Sequence, residues 1–225
     1  EEVVVKVQRP GIRPLVERDL DILLGLARAA EARTYWGRRF RIVDMAERFS
    51  EVMREELDFR VEAGNIQAVS AAIDPNGPVR TPAVYRDLST SRVLVIDWFD
   101  GVSVRDARPL LGQIGSDRAL LARHLFRCIA HQIFMSGTFH ADPHPGNVLV
   151  LSSGQLALID FGLVGRLNIL QQTALRDMLA AVERRDPAAL RDALLEIAEA
   201  GEGSDLEQLE RALSQLLARR LGQGM

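Results

Sequence analysis

Three side chains suited to metal binding or proton transfer fall within "FHADPHPGNVLVLSSGQLALIDFG", residues 139–162. Asp160 follows an apolar run and lies next to a Phe-Gly pair, so its carboxylate can point into a cleft and bind a hard cation such as Mg²⁺. Asn147 begins the preceding apolar run, and its amide oxygen is a second hard ligand. Asp142 lies in a loop with two prolines, where a fixed carboxylate can accept a proton or orient a water. Two metal ligands and a positioned base are the groups that phosphoryl transfer requires.

The spacing of these residues matches H-x-D-x-x-x-x-N followed by D-F-G, the catalytic-loop and metal-loop signatures of kinases. D-F-G alone occurs by chance, but its combination with the longer motif is specific. Two other interpretations exist. One is a proline-rich turn without a catalytic role. The other is a metal hydrolase site formed by His140, Asp142 and His144 at alternating positions, which the two prolines disfavour because they interrupt a regular strand.

A kinase-type site also needs a lysine on a strand and a glutamate on a helix to hold it. Lys6 in "VVVKV" fits the first requirement, because a charge among valines in a strand is unusual unless it is paired. Local spacing leaves four candidates open for its partner: Glu51, Glu55, Glu56 and Glu62.

Apolar periodicity and turn residues predict a chain of mixed helices and strands. The predicted strands are Val3–Val7, 83–88, 91–99, and a hairpin of 148–151 with 156–159. The predicted helices are 15–32, 41–59, 60–73, 117–136 and the region after Gly165, with breaks near Asp186-Pro187 and Gly201–Gly203. This order predicts an α+β protein of two lobes, with the sheet mostly before residue 100 and a crossover at Phe99–Gly101.

Composition narrows the class of protein. The chain has 225 residues, 26% charged and 47% hydrophobic, which is typical of a globular protein. A net charge of -3 argues against a nucleic-acid partner. Cys128 is the single cysteine, so it forms no internal disulfide and indicates a reducing compartment. No apolar run approaches the roughly 18 residues of a membrane span, and no signal peptide is visible. A first residue other than Met and an uncapped end predict a fragment of a longer protein.

Four stretches, "VVVKVQRPGI", "EELDFRVEAGN", "HADPHPGNVL" and "LIDFG", together resemble the UbiB family of atypical kinases, also called aarF-domain-containing kinases. They occur in the family's order and span residues 3–162. The resemblance implies a protein-kinase-like fold, with a truncated N-lobe sheet and helical insertions in residues 1–100. A mainly helical C-lobe with the catalytic and metal loops would cover residues 101–225.

The same resemblance implies a role for individual residues. Lys6 corresponds to the phosphate-binding lysine and Glu62 to its partner, Asp142 to the catalytic aspartate, and Asn147 and Asp160 to the magnesium ligands. Ile96, Asp97 and Trp98 would form the hinge around adenine. Glu56 and Asp58 correspond to the E-x-D pair, which in relatives engages an N-terminal K-x-G-Q helix. Neither that segment nor the family's alanine-rich loop is present in this sequence.

The implied cofactors are ATP and Mg²⁺, and the implied activity is that of an atypical kinase or ATPase supporting ubiquinone biosynthesis. Membrane lipid or quinone-biosynthesis enzymes are the implied partners, in the cytoplasm at the inner membrane of a bacterium. The alternatives are a small-molecule kinase of the aminoglycoside or choline type and a nucleotide-binding pseudokinase scaffold. His144 would either contact the γ-phosphate or pack the loop. His124 and His131 are interpreted as surface residues, and Cys128 as a core residue.

Overall fold

The computed structural model describes residues 2–198 and 205–221, and within these ranges the chain is an α+β protein. The strands are β1 Val3–Val7, β2 Val79–Arg80, β3 Val93–Asp97, β4 Gly101–Ser103, β5 Thr138–His140, β6 Val148–Leu151, β7 Leu156–Leu158 and β8 Val164–Arg166. The helices are α1 Ile12–Arg33, α2 Tyr35–Phe40, α3 Ile42–Glu56, α4 Phe59–Ser70, α5 Arg108–Ile114, α6 Arg118–His131, α7 Ile169–Arg184, α8 Pro187–Leu195 and α9 Leu206–Leu221. A 3₁₀ turn covers Arg86–Leu88, and a π-helical turn at Gln132–Ser136 extends α6.

Strand β1 pairs with β3 in an antiparallel two-stranded sheet, with Lys6 opposite Leu94. Burial alternates along β1, so that Lys6 is half-buried while Val5 and Val7 on the other face are exposed. This is the period of two expected for a strand with one covered face. The alternation therefore places Lys6 on the covered side of the sheet, where α4 packs against β3.

A second sheet has the strand order β2-β7-β6-β4. β6 and β7 form an antiparallel hairpin, and β2 lies parallel to β7. All three residues of β7 are buried, because the strand lies inside the sheet. Asn147 immediately precedes β6, and Asp160 is the second residue after β7. The hairpin brings these two ends together, because the N–H of Ile159 donates to the carbonyl oxygen of Asn147 at 2.9 Å.

Helices α1, α2 and α3 form the helical insertion between β1 and α4. α1 packs along α3, and α2 packs against α1. The hydroxyl of Thr34 caps α2 by accepting from the N–H of Gly37. Gly37 is buried so closely that a Cβ there would lie 2.8 Å from the carbonyl oxygen of Ala30. Glycine at this position is therefore what allows α2 to lie flush against the end of α1.

Contacts group the described residues into two compact units. The first contains the described residues up to Leu121 together with Asp142–Val164, and the second contains Ala122–Ala141 and the described residues from Gly165 onward. In the second unit, α7, α8 and α9 pack around Ala181, Leu190 and Leu217. The lobes at residues 1–100 and 101–225 stay a prediction.

Two predictions about the sheets are wrong. Residues 83–88 are not a strand: Val84 makes an isolated bridge to Ile96, and the chain then turns into the 3₁₀ segment. The strands are not mostly before residue 100, since β4 to β8 follow it. β4, β5 and β8 have three residues each and no hairpin turn signal between predicted strands, so the sequence gives too little alternation to recognise them. The break predicted at Gly201–Gly203 lies outside the described residues. In the described ranges, no helix has the length and apolar character needed to cross a membrane.

Candidate active site

Lys6 and Glu62 form an ion pair between β1 and α4, with Lys6 Nζ 2.5 Å from Glu62 Oε1. The Lys6 side chain is 29% exposed and that of Glu62 is 9% exposed. Asp58 caps α4 by accepting from the N–H of Arg60, which starts the helix and sets Glu62 in its first turn. Of the four glutamates that spacing left open, Glu62 is therefore the one in contact with Lys6. A pair so largely desolvated is costly to break by removing one partner.

Helix α4 also holds the Asp-Phe-Gly segment. Glu62 Oε1 accepts from the N–H of Phe161 at 3.3 Å, and the Asn65 side-chain amide donates to the carbonyl oxygen of Phe161 at 2.9 Å. The Phe161 side chain is fully buried. Asn65 is thus a positioning residue that sequence reasoning missed. Its spacing of three residues from Glu62, on the same face of a helix, was the available signal.

The backbone at Asp160 adopts φ 111°, a region that residues with a Cβ rarely occupy. Asp160 Oδ1 accepts from the N–H of Gly162 at 3.2 Å, which stabilises this turn. A Cβ at Gly162 would lie 2.7 Å from Glu56 Oε1, so the segment passes close to the end of α3. Such strain at a carboxylate that ends a buried strand is common in functional sites.

The loop before β6 is organised around the main-chain oxygen of Asp142. It accepts from the N–H of His144 at 2.8 Å and from the Asn147 side-chain amide at 3.2 Å. These bonds use the nitrogen of the Asn147 amide and leave its oxygen as a ligand atom. The Asp142 side chain is 50% exposed.

His144 packs within this loop. Its Nδ1 accepts from the N–H of Gly146 at 2.9 Å, so Nε2 carries the proton of the neutral ring and lies 3.7 Å from Asp142 Oδ2. Among the described residues no cluster of three or more His, Cys, Asp or Glu could hold a metal ion. The alternative interpretation, a metal hydrolase site of His140, Asp142 and His144, therefore has no support in the described residues.

Two cavities of the first unit meet at Lys6 and Asp160. The larger has a volume of about 340 Å³ and is lined by Val4, Lys6, Ile96, Asp97, Trp98, Phe99, Gly101, Asn147, Leu149, Ile159 and Asp160. The smaller has a volume of about 160 Å³ and is lined by Lys6, Glu55, Glu56, Asp58, Phe59, Val61, Glu62, Asp160 and Gly162. The larger cavity thus has a mainly apolar lining that also includes polar and charged side chains, and the smaller cavity is rich in carboxylates.

The three predicted hinge residues behave differently. Ile96 is buried, and Trp98 is 54% exposed. The Asp97 carboxylate accepts from the N–H of Ala83 and from the hydroxyl of Tyr85, at 2.9 and 3.0 Å. The N–H of Asp97 donates to the carbonyl oxygen of Ala83. Asp97 therefore lines the cavity while its polar groups hold the 83–85 segment against β3.

The pKa values of Glu56 and Asp58, two carboxyl groups of the acidic cavity, are shifted in opposite directions. Burial raises the pKa of Glu56 above its ordinary value, and the nearby Asp160 and Glu62 carboxylates raise it further, against a smaller opposite effect of Lys6. The hydrogen bonds that Arg60 donates lower the pKa of Asp58. Asp58 is thus already engaged as a helix cap and ion-pair partner, while Glu56 holds a charge that the structure disfavours.

In the second unit, the π-helical turn holds strand β5. The buried Gln132 side chain accepts from the N–H of His140 at 2.9 Å and donates to Cys128 Sγ at 3.2 Å. Burial raises the pKa of the Cys128 thiol, as suits a packed cysteine. Cys128 and Gln132 are therefore structural residues of this segment.

Comparison with known proteins places the chain among kinase-like proteins. An uncharacterised protein of Synechocystis is 35% identical over 231 residues, covering 97% of this chain and 56% of the relative. A probable protein kinase UbiB of Pseudomonas putida is 37% identical over 190 residues, covering 83% of this chain and 35% of the relative. The chloroplast protein ACTIVITY OF BC1 COMPLEX KINASE 1 of Arabidopsis is 28% identical over the whole chain, which covers 33% of that relative. The chain spans about half or less of the length of these curated relatives.

A solved structure has the same fold. Rv3197 of Mycobacterium tuberculosis, solved with erythromycin, aligns with a TM-score of 0.62 and 24% identity over 96% of this chain and 54% of that protein. The sequence profile of the ABC1 atypical kinase-like domain matches residues 1–194. The predicted kinase-like fold class is thereby confirmed. Because the profile covers most of the sequence, the chain belongs to the ABC1 family of atypical kinases, the UbiB-type family that its four motifs predicted.

Proposed function

We propose that this chain is the nucleotide-binding part of an ATP-dependent phosphoryl-transfer protein. The observation that carries the proposal is the larger cavity, which is lined by Lys6, Asn147 and Asp160 together with Ile96 and Trp98. A cation, two hard ligands and an apolar surface in one cavity match a nucleotide with its metal ion. A cavity of about 340 Å³ is large enough to enclose a substantial part of such a ligand.

The donor set fits Mg²⁺, which prefers carboxylate and amide oxygens. Asp160 supplies a carboxylate, and Asn147 supplies the amide oxygen that its own hydrogen bond to Asp142 leaves available. Bound Mg·ATP would supply the transferable phosphoryl group and the divalent charge that neutralises its oxygens. Lys6 would hold phosphate oxygens, and Glu62 would keep Lys6 in place through their ion pair.

The base of the nucleotide would lie toward Ile96 and Trp98. The indole of Trp98 is half-exposed and offers an apolar face to a stacked ring. Asp97 would contribute to the shape of this part of the cavity, and each of its carboxylate oxygens already accepts one hydrogen bond from the 83–85 segment.

Asp142 would act on the acceptor of the phosphoryl group. Its carboxylate is half-exposed and lies near the imidazole Nε2 of His144, on a loop fixed by three hydrogen bonds among Asp142, His144 and Asn147. A carboxylate held in this way can take a proton from a hydroxyl or orient a water. We assign His144 to packing the loop and orienting Asp142.

The acidic cavity would be regulatory. Glu56 and Asp58 correspond to the family's E-x-D pair, and the cavity they line holds more carboxylates than cations. Such a site favours a basic side chain, which the K-x-G-Q segment of the longer relatives would provide. Residues 1–100 and 101–225 would then act as the two lobes of a kinase.

The biological role is proposed from the relatives. The Pseudomonas relative bears the name UbiB, and the resemblance to that family supports a role in ubiquinone biosynthesis in the cytoplasm, at the inner membrane of a bacterium. Membrane lipid or quinone-biosynthesis enzymes would be the partners.

The test is ATP turnover by the full-length protein and its Asp142→Asn variant. We expect the variant to bind Mg·ATP with nearly unchanged affinity and to turn over at least about 10²-fold more slowly, as for loss of a positioned base. Ser153→Ala, an exposed change on the β6–β7 turn, is the control. Nucleotide binding without any turnover by the unmodified protein would favour a pseudokinase scaffold, and unchanged turnover in the variant would remove Asp142 from the mechanism.

A further inference from the structure

The stretches "VVVKVQRPGI" and "EELDFRVEAGN" meet at a second point besides the Lys6–Glu62 ion pair. The side-chain amide of Gln8 donates to the carbonyl oxygen of Leu57 at 2.9 Å. The guanidinium group of Arg13, just after the first stretch, donates to the same oxygen at 3.2 Å. We call these three residues the Leu57 clamp. The proposed function so far assigns no role to any of them.

The sequence explains why two donors of the first stretch reach one oxygen. Gln8 is two residues after Lys6, and both are half-buried while the residue between them is exposed, so they share the covered face of the strand. The N–H of Gln8 donates to the carbonyl oxygen of Arg92 at 2.9 Å, which extends the pairing of β1 with β3. Gly11, with φ 76°, then turns the chain into α1 in a conformation that glycine adopts without a steric cost. This turn places Arg13 in the first turn of α1, beside the clamp.

Leu57 is both the end of α3 and the middle residue of the E-x-D pair. It is the C-cap residue of α3, and its side chain is buried. Carbonyl oxygens at the end of a helix lack partners within the helix, and each can accept two hydrogen bonds. The positive charge of Arg13 also suits this end, where the helix dipole is negative. The clamp therefore fixes the turn between α3 and α4, with Glu56 before Leu57 and Asp58 after it.

The turn needs such support because like charges surround it. The carboxylates of Glu56, Glu62 and Asp160 line the acidic cavity, and Lys6 is the cation among its described lining residues. Burial and the carboxylates of Asp160 and Glu62 raise the pKa of Glu56. Movement of this turn away from the cavity would relieve the repulsion, but it would also carry the start of α4, with Glu62, away from Lys6. The clamp opposes that movement because it ties the turn to the strand that carries Lys6.

We propose that Gln8 and Arg13 are positioning residues of the candidate active site. By holding the carbonyl oxygen of Leu57, they keep Glu62 within reach of Lys6. Neither Gln8 nor Arg13 is among the residues that line the two cavities of the site, so both act through the ion pair rather than on a ligand. The effect on ligand binding rests on the proposed function, whereas the effect on the turn does not.

The binding of Mg·ATP to the full-length protein, measured by titration calorimetry, tests the positioning role. Gln8→Met and Arg13→Met each remove one donor and keep an unbranched side chain. Each should weaken binding about twofold to threefold, because the other donor still satisfies the shared oxygen. The two changes together should weaken it at least about tenfold, more than the product of the single effects, as for groups that share one partner. Gln8→Met with Arg13→Lys keeps one charged donor and should bind within about twofold of Gln8→Met alone.

Gln155 and Arg38 supply a matched control. Gln155 donates to the carbonyl oxygen of Gly77 at 3.0 Å, and Arg38 donates to that of Ala32 at 3.2 Å. Neither lines the cavities of the candidate site. Gln155→Met with Arg38→Met removes the same kinds of hydrogen bond and should bind Mg·ATP within about twofold of the unmodified protein. Equal losses of affinity in the two double variants would reduce the clamp to a general contribution to stability and overturn the proposal.

Hydrogen exchange of the full-length protein without nucleotide tests the clamp itself. The backbone N–H groups of residues 57–62 should exchange at least about fivefold faster in Gln8→Met with Arg13→Met than in the unmodified protein or the control. Unchanged exchange would overturn the proposal, and so would faster exchange with undiminished affinity for Mg·ATP. If the unmodified protein binds no Mg·ATP, the proposed function fails and the positioning role with it, while the exchange rates still show whether the clamp holds the turn.

Discussion

Two ion pairs tie neighbouring elements of the first unit together, and their surroundings differ. Lys6 and Glu62 join β1 to α4 with side chains 29% and 9% exposed. Arg54 and Glu17 join α3 to α1 with side chains 41% and 37% exposed. Glu62 additionally holds the N–H of Phe161. The comparison shows that a largely buried ion pair, such as Lys6–Glu62, can fix the position of neighbouring site residues. A more exposed pair, such as Arg54–Glu17, contributes little beyond its own contact.

The two helices that carry the four candidate glutamates, α3 and α4, differ in the same way. Along α3, Ala46 and Ser50 are buried while Phe49 and Glu51 are exposed, so one narrow face packs. Helix α4 instead buries most of a face, including the polar residues Glu62 and Asn65, because it packs between β3 and the Asp-Phe-Gly segment. Burial of polar groups with fixed partners is what distinguishes the candidate site from the helical insertion.

The largest loss of stability should come from replacing Phe161, the buried aromatic residue of the Asp-Phe-Gly segment. Phe161→Ala removes a fully buried ring beside Asp160 and should lower the free energy of unfolding by about 3–5 kcal/mol. Phe49→Ala, at a site 50% exposed in the insertion, should cost less than about 1.5 kcal/mol. Urea unfolding of the two variants measures both values. Equal losses would erase the distinction between the two regions.

The two ion pairs should differ in the coupling energy between their side chains. In a double-mutant cycle, Lys6→Met and Glu62→Gln should couple by about 1–3 kcal/mol, because each change leaves a buried group without its partner. Arg54→Met and Glu17→Gln should couple by at most about 1 kcal/mol, as exposed pairs do. The cycles are measured as unfolding free energies in the full-length protein. Strong coupling of Lys6 to Glu56 instead would assign the lysine-holding role to the E-x-D pair.

The sequence identified residues of the candidate site where the residue type was unusual for its surroundings. Lys6 stood out as a charge among valines, and the hairpin before Asp160 stood out by its turn. Local spacing left the choice among four glutamates open, because helical spacing repeats and only packing distinguishes Glu62. The family resemblance indicated Glu62, and Glu62 is the glutamate that forms the ion pair with Lys6. Asn65 was missed because an amide on a helix has the same appearance in a sequence whether it faces solvent or a buried carbonyl.

The strand predicted at residues 83–88 failed for a related reason. Its first residues do pair with β3, through the N–H of Tyr85 and the carbonyl oxygen of Val95, but the pairing ends within three residues. The Asp97 carboxylate then holds residues 83–85 in place. A contact of this kind, between residues distant in the sequence, cannot be inferred from local periodicity. Tertiary hydrogen bonds therefore limit the pairing of residues 83–85 with β3. They also engage both carboxylate oxygens of Asp97.

A smaller effect should distinguish the two neighbouring glutamates at the end of α3. Because the folded protein raises the pKa of Glu56, folding favours its protonated form, and stability falls as pH rises from its ordinary pKa of 4.5 through the folded-state value. Glu56→Gln removes this cost and should raise the unfolding free energy at pH 7, by less than about 1 kcal/mol because the carboxylate is partly solvated.

Melting curves in the absence of Mg²⁺ and nucleotide provide the measurement. The gain of Glu56→Gln should become small below about pH 4, where the carboxyl is mostly protonated in folded and unfolded protein alike. Glu55→Gln, at the adjacent exposed position, should change the melting temperature little at either pH. A Glu56 variant that is less stable at pH 7 would contradict the repulsion seen in the acidic cavity.

The most direct test of the nucleotide site is the thermal shift that Mg·ATP induces in the full-length protein and in Asp160→Asn. If Asp160 holds the metal, the unmodified protein should show a clear magnesium-dependent shift, and the variant should lose most of it, because one charged ligand no longer offsets the charge of the phosphates. Asp100→Asn, which changes an exposed carboxylate outside the metal ligands, should leave the shift intact. An undiminished shift in Asp160→Asn would contradict the assignment of the cavity as a site for magnesium and nucleotide.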